Sequence, residues 1–332
     1  MNRRTSAAMP GFLARSFLLM VLIASPAFAA KALLELPPGV STHPDSRAPI
    51  EQLYAAYSRL AELGWSLDVI IQSQPPGTTY ALPIIALRSP RNGPAAWFIS
   101  GIHGEETAGP NALAAAIDDL AALGAQVPVV VLPLNNPHGY ARNWRYLNMP
   151  VYSDSIDGNS VGDSSHLLPE PGQAGKSRAM AASSPEADAI TRYVLAQSSL
   201  YPPRYSIDLH EDDLIDEGYV YSQGQLGAAD PLAIEAVRVL RENDIPLKMD
   251  GQTRFGEAVD NGIIGPVTDS SIDELMSSDV VVFEGQLRQG PGARTVLVFE
   301  TPARGAAFMQ RKAAHLALIR RLASLIAAAE KQ

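Results

Sequence analysis

Two nearly continuous apolar runs, Ala95–Ile99 and Val129–Leu134, flank the Ala/Leu-rich stretch Ala108–Leu123, and that order leaves few folds open. Runs that are apolar at every position bury both faces, unlike the alternating strands of a one-sided sheet. Strand, helix and strand in succession therefore predict a parallel βαβ unit with helices on both sides of the sheet. Ala48–Leu63 carries Leu53, Ala56, Tyr57 and Leu60 at helical spacing and stops at Gly64, which predicts a first helix. Leu67–Ile71 and Leu82–Leu87 predict a hairpin pair around the Pro75-Pro76-Gly77 turn. Helices are expected over Pro185–Gln197, Pro231–Glu242 and Ala306–Ala329, and strands over Tyr205–Leu209, Val280–Phe283 and Thr295–Phe299. The expected fold is α/β, a three-layer α/β/α sandwich on a mixed, largely parallel sheet. Asn135 to Ser184 has no such pattern and is longer than an ordinary connection, which points to a functional loop.

The N-terminus bounds the location. Arg3, Arg4 and Arg15 with no acid, the apolar run Phe17–Ala24 and then Ala27-Phe28-Ala29 follow the order of a secretory signal peptide, with cleavage expected after Ala29. The apolar run is well short of the ~20 residues that span a bilayer, so no transmembrane anchor is expected after cleavage. A periplasmic or secreted protein follows, with residues 30–332 as a single catalytic domain. The absence of Cys excludes a lipoprotein anchor and a disulfide framework. Losing three Arg and no acid takes the net charge from −9 to −12, which excludes nucleic acid as a partner. No period of 20–50 residues repeats, so a solenoid is excluded as well.

Three strand-like runs end on residues able to hold a metal ion. Ala95–Ile99 leads into Gly101-Ile102-His103-Gly104-Glu105-Glu106, Tyr205–Leu209 into His210, and Thr295–Phe299 into Glu300. His103 and Glu106 are three residues apart and so present their side chains on one side of a turn. With His210 they make two imidazoles and one carboxylate, a donor set that suits catalytic zinc with a position left for water. Glu105 is the rival ligand, and its adjacent position aims it elsewhere. Glu284 ends a similar strand and competes with Glu300 for the role of base. His43, His138, His166 and His315 have no comparable setting and are expected at the surface or packed. The run Glu211–Glu217 holds five acids in seven residues; it is expected either to be a solvated loop or to attract a substrate ammonium group.

From Ala95 to the C-terminus these motifs resemble the zinc carboxypeptidase family, whose relatives include murein-peptide amidases and the succinylglutamate desuccinylase/aspartoacylase group. Gly101–Glu106 is similar to the family's G-x-H-x-x-E, which implies His103 and Glu106 as ligands, and Ile207-Asp208-Leu209-His210 resembles the strand carrying the third, His210. Asn136-Pro137-His138-Gly139 is similar to the N-P-D-G turn; the Arg that follows it in relatives matches Arg145 or, less well, Arg142. Phe299-Glu300-Thr301-Pro302 is similar to the strand of the general base, and Ser184-Pro185-Glu186 to the S-x-P-E start of a helix. Where relatives read D-x-N-R, this chain has Asp157-Gly158-Asn159-Ser160, so the Arg that grips a substrate carboxylate is missing.

The resemblance implies Glu300 as general base, Arg145 as stabiliser of the oxyanion, Arg142 and Asn159 as substrate-binding residues, and one Zn2+ per chain held by His103, Glu106 and His210. Arg178, Arg288 and Arg294 are the candidates to replace the Arg missing at Ser160. The implied activity is an exported zinc metallocarboxypeptidase acting on peptides such as murein peptides. The alternatives are an N-acyl amino acid deacylase acting on acyl-amino-acid substrates, or a non-catalytic peptidoglycan-binding protein on the same scaffold.

Overall fold

The computed structural model describes residues 36–37, 40, 44–147, 162–173 and 175–329; the expected signal peptide, His43 and Asn159 lie outside the described residues. Helix α1 (Ile50–Glu62) buries Leu53, Tyr54, Tyr57 and Leu60. Strands β1 (Ser66–Ser73) and β2 (Leu82–Arg88) form the expected antiparallel pair. Strands β3 (Ala95–Ser100) and β4 (Val129–Leu132) are parallel neighbours, as the βαβ pattern requires. The single helix expected between them is two, α2 (Ala108–Ala115) and α3 (Ile117–Gly124), because Ala116 leaves helical geometry at φ −98°, ψ 15°. Nothing in the Ala-rich sequence marks that break.

The patternless stretch contains a short helix α4 (Pro137–Arg142). Helices α5 (Pro185–Gln197) and α6 (Pro231–Glu242) start and stop where the sequence predicts. Ser184 and Asp230 cap them by accepting from the N–H groups of Ala187 and Leu232, and each is followed by Pro at the first helical position. Strands β5 (Pro203–Asp212) and β6 (Tyr219–Ser222) flank a late strand in the sheet, β12 (Thr295–Pro302). Short strands β7 (Asp250–Gln252), β8 (Ala258–Asp260) and β9 (Ile263–Ile264) extend that end. Helix α7 (Ile272–Ser277) precedes a separate hairpin, β10 (Val280–Phe283) and β11 (Gln286–Gln289), so the Val280–Phe283 strand forms outside the main sheet. Helix α8 (Phe308–Ala329) closes the fold.

The sheet has ten strands in the order β1-β2-β4-β3-β5-β12-β6-β9-β8-β7. It is mixed: β4-β3-β5-β12 at its centre run parallel, and so do β6 and β9. The period-2 alternation of side chains divides the strands between two cores. Ala96 and Phe98 of β3 face α1, α2, α6 and α8, whereas Ala95, Trp97 and Ile99 face α5 and α7. Phe98 and Phe299 are wholly buried; each such side chain favours folding by about 1.5–3 kcal/mol over its exposed state. The same alternation sends Ile207 and Leu209 of β5 to the first core, and so turns Ser206, Asp208 and His210 toward the α5 and α7 side. No helix among the described residues is long and apolar enough to cross a membrane.

Candidate metal centre

The carboxyl ends of β3, β5 and β12 lie side by side, and ligands of open α/β sheets bind at such ends. Glu300 on β12 is the register partner of His210 on β5, so the two side chains are neighbours on one face. Beyond β3 the chain turns at Gly101, whose φ of 66° suits a residue without a Cβ, and delivers His103 and Glu106. Gly104 lies against α4, where a Cβ would stand 2.2 Å from the carbonyl carbon of Gly139. That contact joins the ligand loop to the Asn136-Pro137-His138-Gly139 turn. Asn136 caps α4 through Gly139 N–H at 2.9 Å, and its amide donates to the Arg145 carbonyl at 3.2 Å. Gly104 N–H donates to the same carbonyl at 3.3 Å, which sets Arg145 beside the ligand loop.

His103, Glu106 and His210 offer donor atoms that all lie within 4.8 Å of one another. Glu106 Oε1 is 2.7 Å from His103 Nδ1, and Oε2 is 2.8 Å from His210 Nδ1. The rings stand 4.9 Å apart at 76°. Glu106 Oε1 also accepts from Arg145 Nη1 at 2.5 Å, and Oε2 from the Glu211 N–H at 3.1 Å. Arg145 Nη1 reaches Glu105 Oε1 at 3.0 Å as well, so Glu105 sits behind the ligand as a partner of the guanidinium.

Burial pushes the His103 imidazole down to about 4, with Arg145 acting in the same direction, which leaves it neutral and able to donate a lone pair. Burial opposes charge on His210, yet the carboxylates of Asp208 and Glu106 outweigh it and hold its pKa well above the usual range. Glu106 is buried too, but the two imidazoles and Arg145 keep it ionised well below the usual range. Burial pushes the Glu300 carboxyl well above its ordinary value, with His210 beside it acting against that rise. Two imidazoles converging by the same ring nitrogen on one buried carboxylate fit a zinc ion, and Asp208 Oδ2 lies 3.1 Å from the outer nitrogen of His210.

A cleft of about 640 Å³ opens over this set, lined by His103, His210, Arg145 and Glu300. Glu300 Oε2 is buried with no hydrogen-bond partner. Glu284 is remote from it, in the exposed turn between β10 and β11 with φ of 53°, paired with Arg288 at 3.5 Å. Arg142 is exposed at the last turn of α4 and does not line the cleft. Of the candidates to replace the missing Arg, Arg178 forms a two-bond fork with Glu274, Arg288 pairs with Glu284, and Arg294 is exposed outside the cleft.

The acidic run does not present a row of free charges. Glu211 is buried against Arg311 and caps α2 through Ala108 N–H at 2.8 Å. Asp212 accepts from the Tyr219 hydroxyl at 2.7 Å, and Asp213 pairs with Arg304 at 3.6 Å. Glu211 therefore departs from the expected solvated loop, whereas Asp216 is exposed and Glu217 lies 4.0 Å from Lys248. His138 and His315 are packed: His138 Nε2 donates to the Ser73 carbonyl at 2.9 Å, and His315 Nε2 shares a hydrogen bond with Thr301 Oγ1 at 3.0 Å.

Asp208 and Asp273 were not visible as site residues in the sequence. Asp208, His210 and Asp273 form a second group of donor atoms within 4.8 Å of one another. One signal was present: Asp208 is two residues before His210 on a strand and must share its face. Asp273 carries no such signal, since α7 brings it there from far along the chain.

The architecture is that of the metallo-carboxypeptidases. In particular, the chain is similar to a candidate metallopeptidase from Shewanella amazonensis, with 24% identity and a TM-score of 0.65 over 83% of this chain and 92% of that one. A metallo-carboxypeptidase from Burkholderia cenocepacia matches with 14% identity and a TM-score of 0.53, over 86% of this chain and 70% of that one. Bovine thrombin-activatable fibrinolysis inhibitor, solved in complex with a tick carboxypeptidase inhibitor, matches with 14% identity and a TM-score of 0.54, over 85% and 98%. No family model and no curated protein matches the sequence.

Proposed function

We propose that the chain is an exported zinc-dependent hydrolase of amide bonds, a metallopeptidase with peptides as its substrate class. The observation that carries this reading is the meeting of His103 Nδ1, His210 Nδ1 and the Glu106 carboxylate at the strand ends, with Glu300 on the adjacent strand. His103, Glu106 and His210 hold the ion. Zinc, when bound, supplies a Lewis acid and lets water ionise near neutral pH. Glu300 ionises more readily with a cation beside it. Its unpartnered oxygen accepts the proton of the attacking water and passes it to the leaving nitrogen. Arg145 lines the cleft and donates to the carbonyl oxygen of the scissile bond as negative charge develops there. A binding module has no use for a buried, unpartnered carboxylate at this position, which favours a catalyst over a peptidoglycan-binding scaffold.

Export rests on the order of charged, apolar and small residues up to Ala29, with residues 30–332 as one catalytic domain. The test is hydrolysis of a peptide panel before and after metal removal. A chelator should abolish cleavage and stoichiometric zinc should restore it. Cleavage that survives complete metal removal contradicts the proposal.

A further inference from the structure

The cleft over the candidate metal centre carries an aromatic side chain that the fold does not use. Of the large apolar side chains standing exposed among the described residues, Phe255 is the one that lines this cleft. Its ring is 65% exposed and belongs to none of the buried apolar clusters, so it adds little to folding by burial. Phe255 sits in the turn between β7 and β8, and that turn is held firmly. Thr253 N–H donates to the Glu257 carbonyl at 2.9 Å, and Gly256 N–H to the Thr253 carbonyl at 3.0 Å. The Thr253 hydroxyl accepts from Phe255 N–H at 3.2 Å and donates to Glu257 Oε2 at 2.6 Å. Gly256, with φ of 82°, takes the left-handed position that closes the turn. Glu257 Oε2 also accepts from the Tyr221 hydroxyl at 2.9 Å, and Tyr221 on β6 is the register partner of Val298 on the Glu300 strand. Arg254 stacks on the Phe255 ring, its guanidinium carbon 4.7 Å from the ring centroid. The ring is thus presented to the cleft on a fixed support that is tied to the strands of the site.

We propose that Phe255 is a specificity-determining residue, a fixed aromatic contact at the cleft rim for an apolar side chain of the substrate. The proposal rests on the hydrolase reading and names the substrate class of that site: peptides carrying an aromatic or large aliphatic side chain near the scissile bond. A ring held on a rigid turn loses little freedom on binding, so most of what it gains by shielding apolar area from water is kept. Leu147 and Val267 line the same cleft and extend the apolar surface that such a side chain meets. Apolar walls with a few placed polar groups are what a binding cleft requires, and here the polar groups are those of the candidate metal centre.

The experiment moves a single Phe through each position of a peptide otherwise made of Ala and Gly, and compares each peptide with the one lacking Phe. For the zinc-loaded protein, kcat/KM should favour the best-placed Phe by roughly 10-fold, the scale of one buried aromatic contact. In Phe255→Ala the preference should fall toward one, whereas Phe255→Trp should keep it, because the contact is apolar area. Glu257→Ala, which releases the turn from Tyr221, should reduce the preference less, and serves if Phe255→Ala does not fold. Calorimetric binding of the same peptides to zinc-loaded Glu300→Gln reads the preference without turnover. A preference in binding with no cleavage by the parent protein therefore marks a failure of the hydrolase reading and leaves this inference standing. Equal binding of all the peptides, or a preference as large in Phe255→Ala as in the parent, overturns it.

Discussion

Glu106 is where the account is most exposed to test at the scale of single residues. One of its oxygens meets His103 and Arg145, and the other meets His210 and the Glu211 N–H. Glu300 has no such network, and its free oxygen is what a proton acceptor requires. Glu300→Gln should therefore fold and bind zinc as the parent does while losing at least ~100-fold in kcat, the lower end of general acid–base catalysis. Loss of activity in Glu284→Gln instead would place the base on the wrong strand. Arg145→Ala should lower kcat more than it raises KM, at a cost of about 2.7–4 kcal/mol, because a donor that meets charge only in the transition state acts there selectively. Since Arg145 also bonds Glu106, zinc content must be measured on the same sample. A pure KM effect with zinc retained would move Arg145 to ground-state binding.

At the scale of elements, the site depends on a contact between backbones. Gly104 and Gly139 touch where the ligand loop crosses α4, leaving no room for a methyl group. Gly104→Ala should cost about 1–3 kcal/mol, typical of overpacking, and weaken zinc binding through His103 and Glu106. A melting temperature and zinc affinity equal to the parent's would show that the loop is not held this way. The same turn predicts a pH response. His138 donates from Nε2 to the Ser73 carbonyl, its Nδ1 is buried without a partner, and burial lowers its pKa. The unfolded imidazole takes up a proton near pH ~6.5, the folded one only at lower pH. Between those values the unfolded state binds more protons, so stability is kept above ~6.5 and lost as pH falls below it. His138→Gln keeps a donor for Ser73 and removes the titration, so its melting temperature should decline less between pH 7 and 5. Parallel declines would contradict this.

At the scale of the whole molecule, the parts legible in the sequence are those fixed by local chemistry. The caps and prolines of α5 and α6 mark where each helix begins, and the apolar runs of β3, β4 and β12 with the alternating run of β5 mark the centre of the sheet and the strand ends that meet there. The extension β7 to β9 is not legible, because strands of two or three residues carry no period to detect. The burial of Glu211 is not legible, because a run of acids looks solvated until the fold brings Arg311 from the closing helix against it. Asp273 is not legible for the same reason, being joined to Asp208 by packing and not by spacing.

The central claim is that three residues from two strand ends hold one zinc ion. Metal analysis of the purified mature chain tests it most directly: about one zinc per chain, with markedly less in both His103→Ala and His210→Ala, since two remaining donors make a much weaker site. Stoichiometric zinc in both variants would contradict it.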